Sequence, residues 1–145
     1  MTVQGPKVRD EGEFRRDFST PQGAILKLED AYRHRDVDAA VAAKDFTREA
    51  ELVLSRLPLP NRATDDTLVA KTATTLELAF RSQLERGFPD LTGARSAFSD
   101  ATVYTGIGGG LVVTEIVTYP DGRTSRQELI VADTGNGWRV LIPVR

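Results

Sequence analysis

The sequence predicts an α+β domain in which N-terminal helices pack on one face of a curved antiparallel sheet of about four strands. Three observations predict it. Apolar residues recur at spacings of three and four as far as about Leu91, then alternate in twos from Phe98 onward. Capping residues and prolines punctuate the first part. Pro-Asp-Gly at 120–122 and Gly-Asn-Gly at 135–137 separate short apolar runs in the second, and their residues accept turn angles that β-branched residues resist. Helices first and strands after is the order of a domain whose helices gather on one side of its sheet.

Residues 1–18 are polar, with Phe14 and Phe18 the only large apolar groups before the domain, and predict a loose arm ahead of a single domain over 19–145. The alternative is that the two phenylalanines dock on the body. Thr20 followed by Pro21 is a helix start, since the hydroxyl can accept from an orphan amide and proline loses no needed donor there. Ile25, Leu28, Ala31 and Tyr32 form the stripe to be buried, leaving Lys27, Glu29, Asp30 and Arg33 in water. Asp36 is positioned to cap a short alanine-rich helix. A third helix carries Phe46, Ala50, Val53, Leu54 and Leu57 and ends at Pro58 and Pro60. A fourth starts at Thr64 with Asp65 and Asp66 in its first turn, buries Val69, Ala73, Leu76, Phe80 and Leu84, and ends at Gly87 in the left-handed conformation. Phe88 then folds back and Pro89 prevents extension. The four expected strands are Phe98 to Thr105, Leu111 to Tyr119, Arg123 to Asp133 and Trp138 to Val144.

Composition removes several function classes. The chain of 145 residues is 40% apolar and 28% charged, an ordinary globular balance for one core. Without cysteine there are no disulfides, thiolate metal sites or cysteine nucleophiles, and a single histidine argues against structural zinc; no metal and no cofactor are expected. A net charge of -2 with both signs interspersed offers no basic stripe for nucleic acid. Nothing reads as a membrane span or a secretory leader, so cytoplasm is the expected compartment.

The segments LEDAYRHRDVDAAVAAKDF, VAKTATTLELAFRSQLERGFPDL and TEIVTYPDGRTSRQELIVADTGNGWRVLIPV resemble bacterial immunity proteins of the nuclear transport factor two-like fold, also called the cystatin-like cone. The resemblance spans about Thr20 to Val144. It implies a non-enzymatic protein-binding module that neutralises a cognate toxin, and a fold that often pairs through its sheet as a homodimer. The same fold serves cyclases and isomerases, so a cofactor-free lyase, isomerase or cyclase, or a small-molecule binder using the cone pocket, is the competing reading.

Tyr32, His34, Asp36, Asp45, Tyr104, Glu115, Glu128 and Trp138 are the candidates for such a pocket. His34, with Asp36, could reach a pocket mouth, although Arg33 and Arg35 beside it favour a solvated helix end. Asp45 reads either as a pocket acid or as the cap of the third helix. Glu115 alternates in phase with Leu111, Val113, Val117 and Tyr119. On a concave face it would be a buried carboxylate fit for acid–base work; otherwise Arg126 or Arg139 pairs with it, or it reaches solvent. The run Gly106 to Gly110 leads from strand to strand without lysine and is a hairpin tip rather than a phosphate loop. The opposite face, with Val112, Thr114, Ile116 and Thr118, is the one expected to pair with a second copy.

Overall fold

The computed structural model describes residues 7–58 and 65–144. Four helices and six antiparallel strands make an α+β fold: β1 (Val8–Asp10), a 3-10 turn (Glu11–Glu13), α1 (Pro21–Arg33), α2 (Val37–Ala42), α3 (Phe46–Ser55), α4 (Asp66–Arg86), β2 (Arg95–Ser99), β3 (Thr102–Val103), β4 (Gly110–Thr118), β5 (Thr124–Asp133) and β6 (Trp138–Pro143). The sheet order is β1-β2-β4-β5-β6, with β3 also on β4. No helix among the described residues is long and apolar enough to cross a membrane.

Residues 7–18 correct the loose-arm expectation. β1 pairs with β2, Val8 against Ser99 through Asp10 against Ala97, so the arm supplies the edge strand. Phe14 meets Phe98 edge-on at 5.7 Å between ring centres. The Phe18 carbonyl accepts from the Trp138 amide at 2.9 Å, and the Arg139 guanidinium lies 3.6 Å from the Phe18 ring centre. Burying two aromatic rings and closing a backbone ladder offsets the ordering of a short polar segment.

The helix starts follow their capping residues. Thr20, Asp36, Asp45 and Asp65 accept from the amides of Gly23, Ala39, Arg48 and Leu68 respectively, each at about 3 Å. Asp65 thus takes the cap of α4, while Thr64 and Pro60 lie outside the described residues. Gly87 ends α4 with extended backbone, φ 164°, instead of the left-handed turn. Its amide still reaches the carbonyls of Gln83 and Leu84, so the terminal acceptors are satisfied without that turn.

The expected strand over Phe98 to Thr105 is divided. Phe98 faces Glu115 and Thr102 faces Val112, four steps along one chain against three along the other, which is one extra residue and therefore a bulge. Ser99 Oγ accepts from the Thr114 amide at 2.9 Å, taking up a donor that the bulge would orphan.

The main core lies where α1 and α2 meet one sheet face. Ile25, Leu28, Ala31 and Ala40 pack against Phe98, Val113, Leu129, Val131 and Val140. A second cluster, Leu52 with Ile130, Ala132 and Leu141, is covered by α3. Val69 and Leu84 are the buried residues of α4, whereas Ala73, Leu76 and Phe80 are only half-buried and Leu78 and Leu57 are exposed. The α4 stripe is therefore the rim of the core rather than its centre.

Candidate functional site

Glu29 is buried, 6% exposed, contrary to the expectation that it stays in water. The physical reason is its phase. Glu29 follows Ile25 by four positions, so it stands on the same face of α1 as Ile25 and Leu28 and is carried onto the sheet with them. Glu115 waits there, fully buried, between Val113 and Val117 on β4.

The surroundings of Glu115 are polar but uncharged. Gln127, its cross-strand partner on β5, donates from Nε2 to Oε1 at 2.8 Å. Ser96 Oγ lies 2.8 Å from Oε2 and 3.2 Å from Glu29 Oε1. The expected arginine partner is absent from this cluster: Arg126 lies toward Glu128 at 3.8 Å, and Arg139 lies on Phe18. Nor does Glu115 reach solvent. Both side chains that could have paired with it are held on the other face or at the sheet end.

Burial, then hydrogen bonding to Glu115, then the charge of Glu115, hold the Glu29 carboxyl well above the ordinary carboxylate range. Two carboxyl groups in contact away from water disfavour ionisation of both at once, so the pair tends to retain a proton, and the direction of the Glu29 shift follows from that. Burial and the nearby Glu29 push the Tyr32 hydroxyl up to about 12.

Glu29 opens on a cavity of about 350 Å³ between α1 and the sheet. Ile25, Leu28, Leu91, Val117, Leu129 and Val140 are among its apolar walls, and Tyr32, Lys44, Tyr119, Ser125 and Gln127 join Glu29 as its polar lining. This is a concave, largely apolar site with a few convergent polar groups, the ordinary form of a small-molecule site. Glu115 stands one layer behind, reaching the cavity through Glu29 and Gln127.

Of the other candidates only Tyr32 is at this cavity. Tyr32 does line the cavity, with its ring against Phe88 at 6.4 Å. The His34 Nδ1 lies 2.8 Å from the Asp30 carbonyl at the exposed end of α1. Asp36 and Asp45 serve as the caps already described. Tyr104 receives a hydrogen bond from Arg56 at 3.2 Å and lines a different groove beside α3. Trp138 is half-buried against the main core, and Glu128 is exposed. Sequence reasoning missed Glu29, Ser96 and Gln127. Spacing carried the signal for Glu29, and strand phase carried it for the others: Ser96 is two residues from Phe98, and Gln127 two from Leu129.

Among the described residues no group of three or more histidine, cysteine, aspartate or glutamate side chains is placed to hold a metal ion. Comparison with known proteins gives no matching family model, no similar curated protein and no similar solved structure.

Proposed function

We propose that this chain is a small-molecule-binding domain of the nuclear transport factor two-like cone type, with the cavity under α1 as its ligand site. The observation that carries this reading is the buried Glu29 at the floor of a largely apolar cavity, with Glu115 behind it. Burying two carboxylates costs several kcal/mol relative to an apolar pair of similar size. An apolar core would have stabilised the fold better, so the pair points to recognition. Binding is the reading we take for this site, and it is supported by the raised Glu29 carboxyl and the Tyr32 hydroxyl raised to about 12, which leave neither group suited to act as a base.

Ser125→Trp tests the site. Ser125 is exposed and lines the cavity mouth, so an indole there blocks entry without disturbing the core. Fragment screening by protein NMR should move the amide signals of Glu29, Tyr32 and Gln127 in the natural protein and leave them still in the variant. Equal perturbation in both would refute the site.

A second reading, a neutraliser of a cognate toxin, is favoured by a different feature. A groove of about 780 Å³ beside α3 and β6 is lined by Val53, Leu57, Leu76, Tyr104, Ile142 and Val144, and Leu57 is 46% exposed. An apolar groove with an arginine at its edge, Arg56, suits a protein surface. Copurification from the native host followed by mass spectrometry tests it: a stoichiometric protein partner lost on Leu57→Asp would support it, and no partner would refute it.

A further inference from the structure

We propose that the cavity takes small hydrophobic organic cations, a protonated amine docking its ammonium group against the Glu29–Glu115 pair while its apolar body fills the space between α1 and the sheet. This rests on the small-molecule reading of the same site and names the ligand class.

The first support is a buried acidic pair whose hydrogen-bond partners, Ser96 and Gln127, include no basic side chain. Each basic side chain of the elements packed around the pair is engaged elsewhere. Arg33 bonds to Asp30 and to the Ala94 carbonyl, so its charge is felt by Glu29 only at a distance. Arg16 joins Asp30 and Glu11. Arg95 joins Asp10 and Glu11. Lys44, in the cavity wall, lies 2.6 Å from Glu49 and donates to the Leu141 carbonyl at 2.7 Å. Arg123, on the outer face of Tyr119, pairs with Asp121 at 2.6 Å. The remaining acid nearby, Glu11, accepts from the Ser96 amide at 2.8 Å and is paired with the two arginines just named, so it and they compensate one another outside the site. A net negative charge inside a low-dielectric cavity attracts a cation far more strongly than it would in water.

The second support is shape. Tyr32 and Tyr119 bring aromatic rings to the same cavity, and ring faces attract organic ammonium groups. The apolar walls suit a hydrocarbon body and exclude a strongly hydrated ion such as sodium. A volume of about 350 Å³ fits one or two fused rings.

The docking step balances as a proton exchange. The O–H bond of Glu29 breaks and its proton leaves to water, while N–H donors of the ammonium take its place against the Glu29 oxygens. The complex therefore holds one proton fewer than its separated partners, and binding tightens as pH rises so long as the amine stays protonated.

Isothermal titration calorimetry with naphthylmethylamine and its neutral counterpart naphthylmethanol, near pH 7.5 in buffers of different ionisation enthalpy, tests the inference. The amine should bind about tenfold or more tighter than the alcohol, a margin of about 1.4 kcal/mol, and release close to one proton. Glu29→Gln, which keeps a donor toward Glu115, should abolish the proton release. Glu29→Gln should also remove the preference for the amine, whereas Glu115→Gln should keep it with less than one proton released, and folding of either variant is checked first by circular dichroism. Equal binding of amine and alcohol without proton release overturns the cation inference and leaves the small-molecule site standing. Failure of both probes and of every fragment in the Ser125→Trp comparison overturns both.

Discussion

Glu29 stands one helical turn beyond Ile25, and that turn carries a carboxylate into the core beside Glu115. Stability must then depend on pH in an unusual direction. The folded Glu29 holds its proton above the unfolded value of 4.5, so the folded state binds more protons across that window. Stability is full below about the unfolded value and falls as pH rises toward the raised one, by up to about 1.4 kcal/mol per pH unit from this group. Glu29→Gln should flatten that slope. Urea midpoints at pH 6 and pH 9 check it: the natural protein should lose more than the variant.

Lys44 and Glu49 form a buried ion pair, with side chains 9% and 6% exposed, where the α2–α3 connection meets β6. The Lys44 ammonium also lies 5.0 Å from the Phe80 ring centre and 5.4 Å from that of Phe46. Lys44→Met should cost about 3–5 kcal/mol by stranding Glu49. Adding Glu49→Leu should recover most of it, read from chemical denaturation of both variants.

Gly23 opens α1 with no room for a side chain. A Cβ there would come within 2.3 Å of the Asp17 carbonyl and 2.5 Å of the Arg15 carbonyl, both backbone atoms. Alanine usually favours a helix over glycine by about 1 kcal/mol. Here Gly23→Ala should destabilise instead, by about 1–3 kcal/mol, while Gly122→Ala at the exposed β4–β5 turn should cost about 1 kcal/mol from its positive φ alone. Thermal melts of the two variants check the ranking.

Assembly is a proposal that the single chain makes testable. On the face of β4 away from α1, Val112 and Ile116 are half-buried, Thr114 is buried, and Thr102 of β3, opposite Val112, is exposed. A homodimer through this face would cover them. Light scattering at tens of micromolar should give twice the chain mass, and Val112→Lys with Ile116→Lys should halve it; a monomeric mass for the natural protein contradicts the proposal.

Much of the architecture was legible in local chemistry. Thr20, Asp36 and Asp45 cap where side-chain oxygens can meet orphan amides, and the two glycine turns close hairpins because their glycines take φ between 86° and 98°. What escaped were features set by packing. β1 is too short to announce itself and is specified by Phe14 landing on Phe98. The bulge after Phe98 depends on the register of β4, which one strand cannot reveal. The site was half legible: strand phase singled out Glu115, but charge was allowed to outvote spacing at Glu29, so the residue that makes the pair was assigned to water. Gln127 was overlooked because its half-strand is polar on both faces, and only its register opposite Glu115 gives it a role.

Ligand binding under α1 depends on the raised carboxyl of Glu29 beside Glu115. Carbon-detected NMR of the glutamate side-chain carboxyls, followed from pH 4 to pH 10 and assigned with Glu29→Gln and Glu115→Gln, measures this directly. The account predicts a Glu29 carboxyl signal that stays at its protonated position through pH 7. A Glu29 signal that titrates in the ordinary carboxylate range, near 4.5, would contradict it.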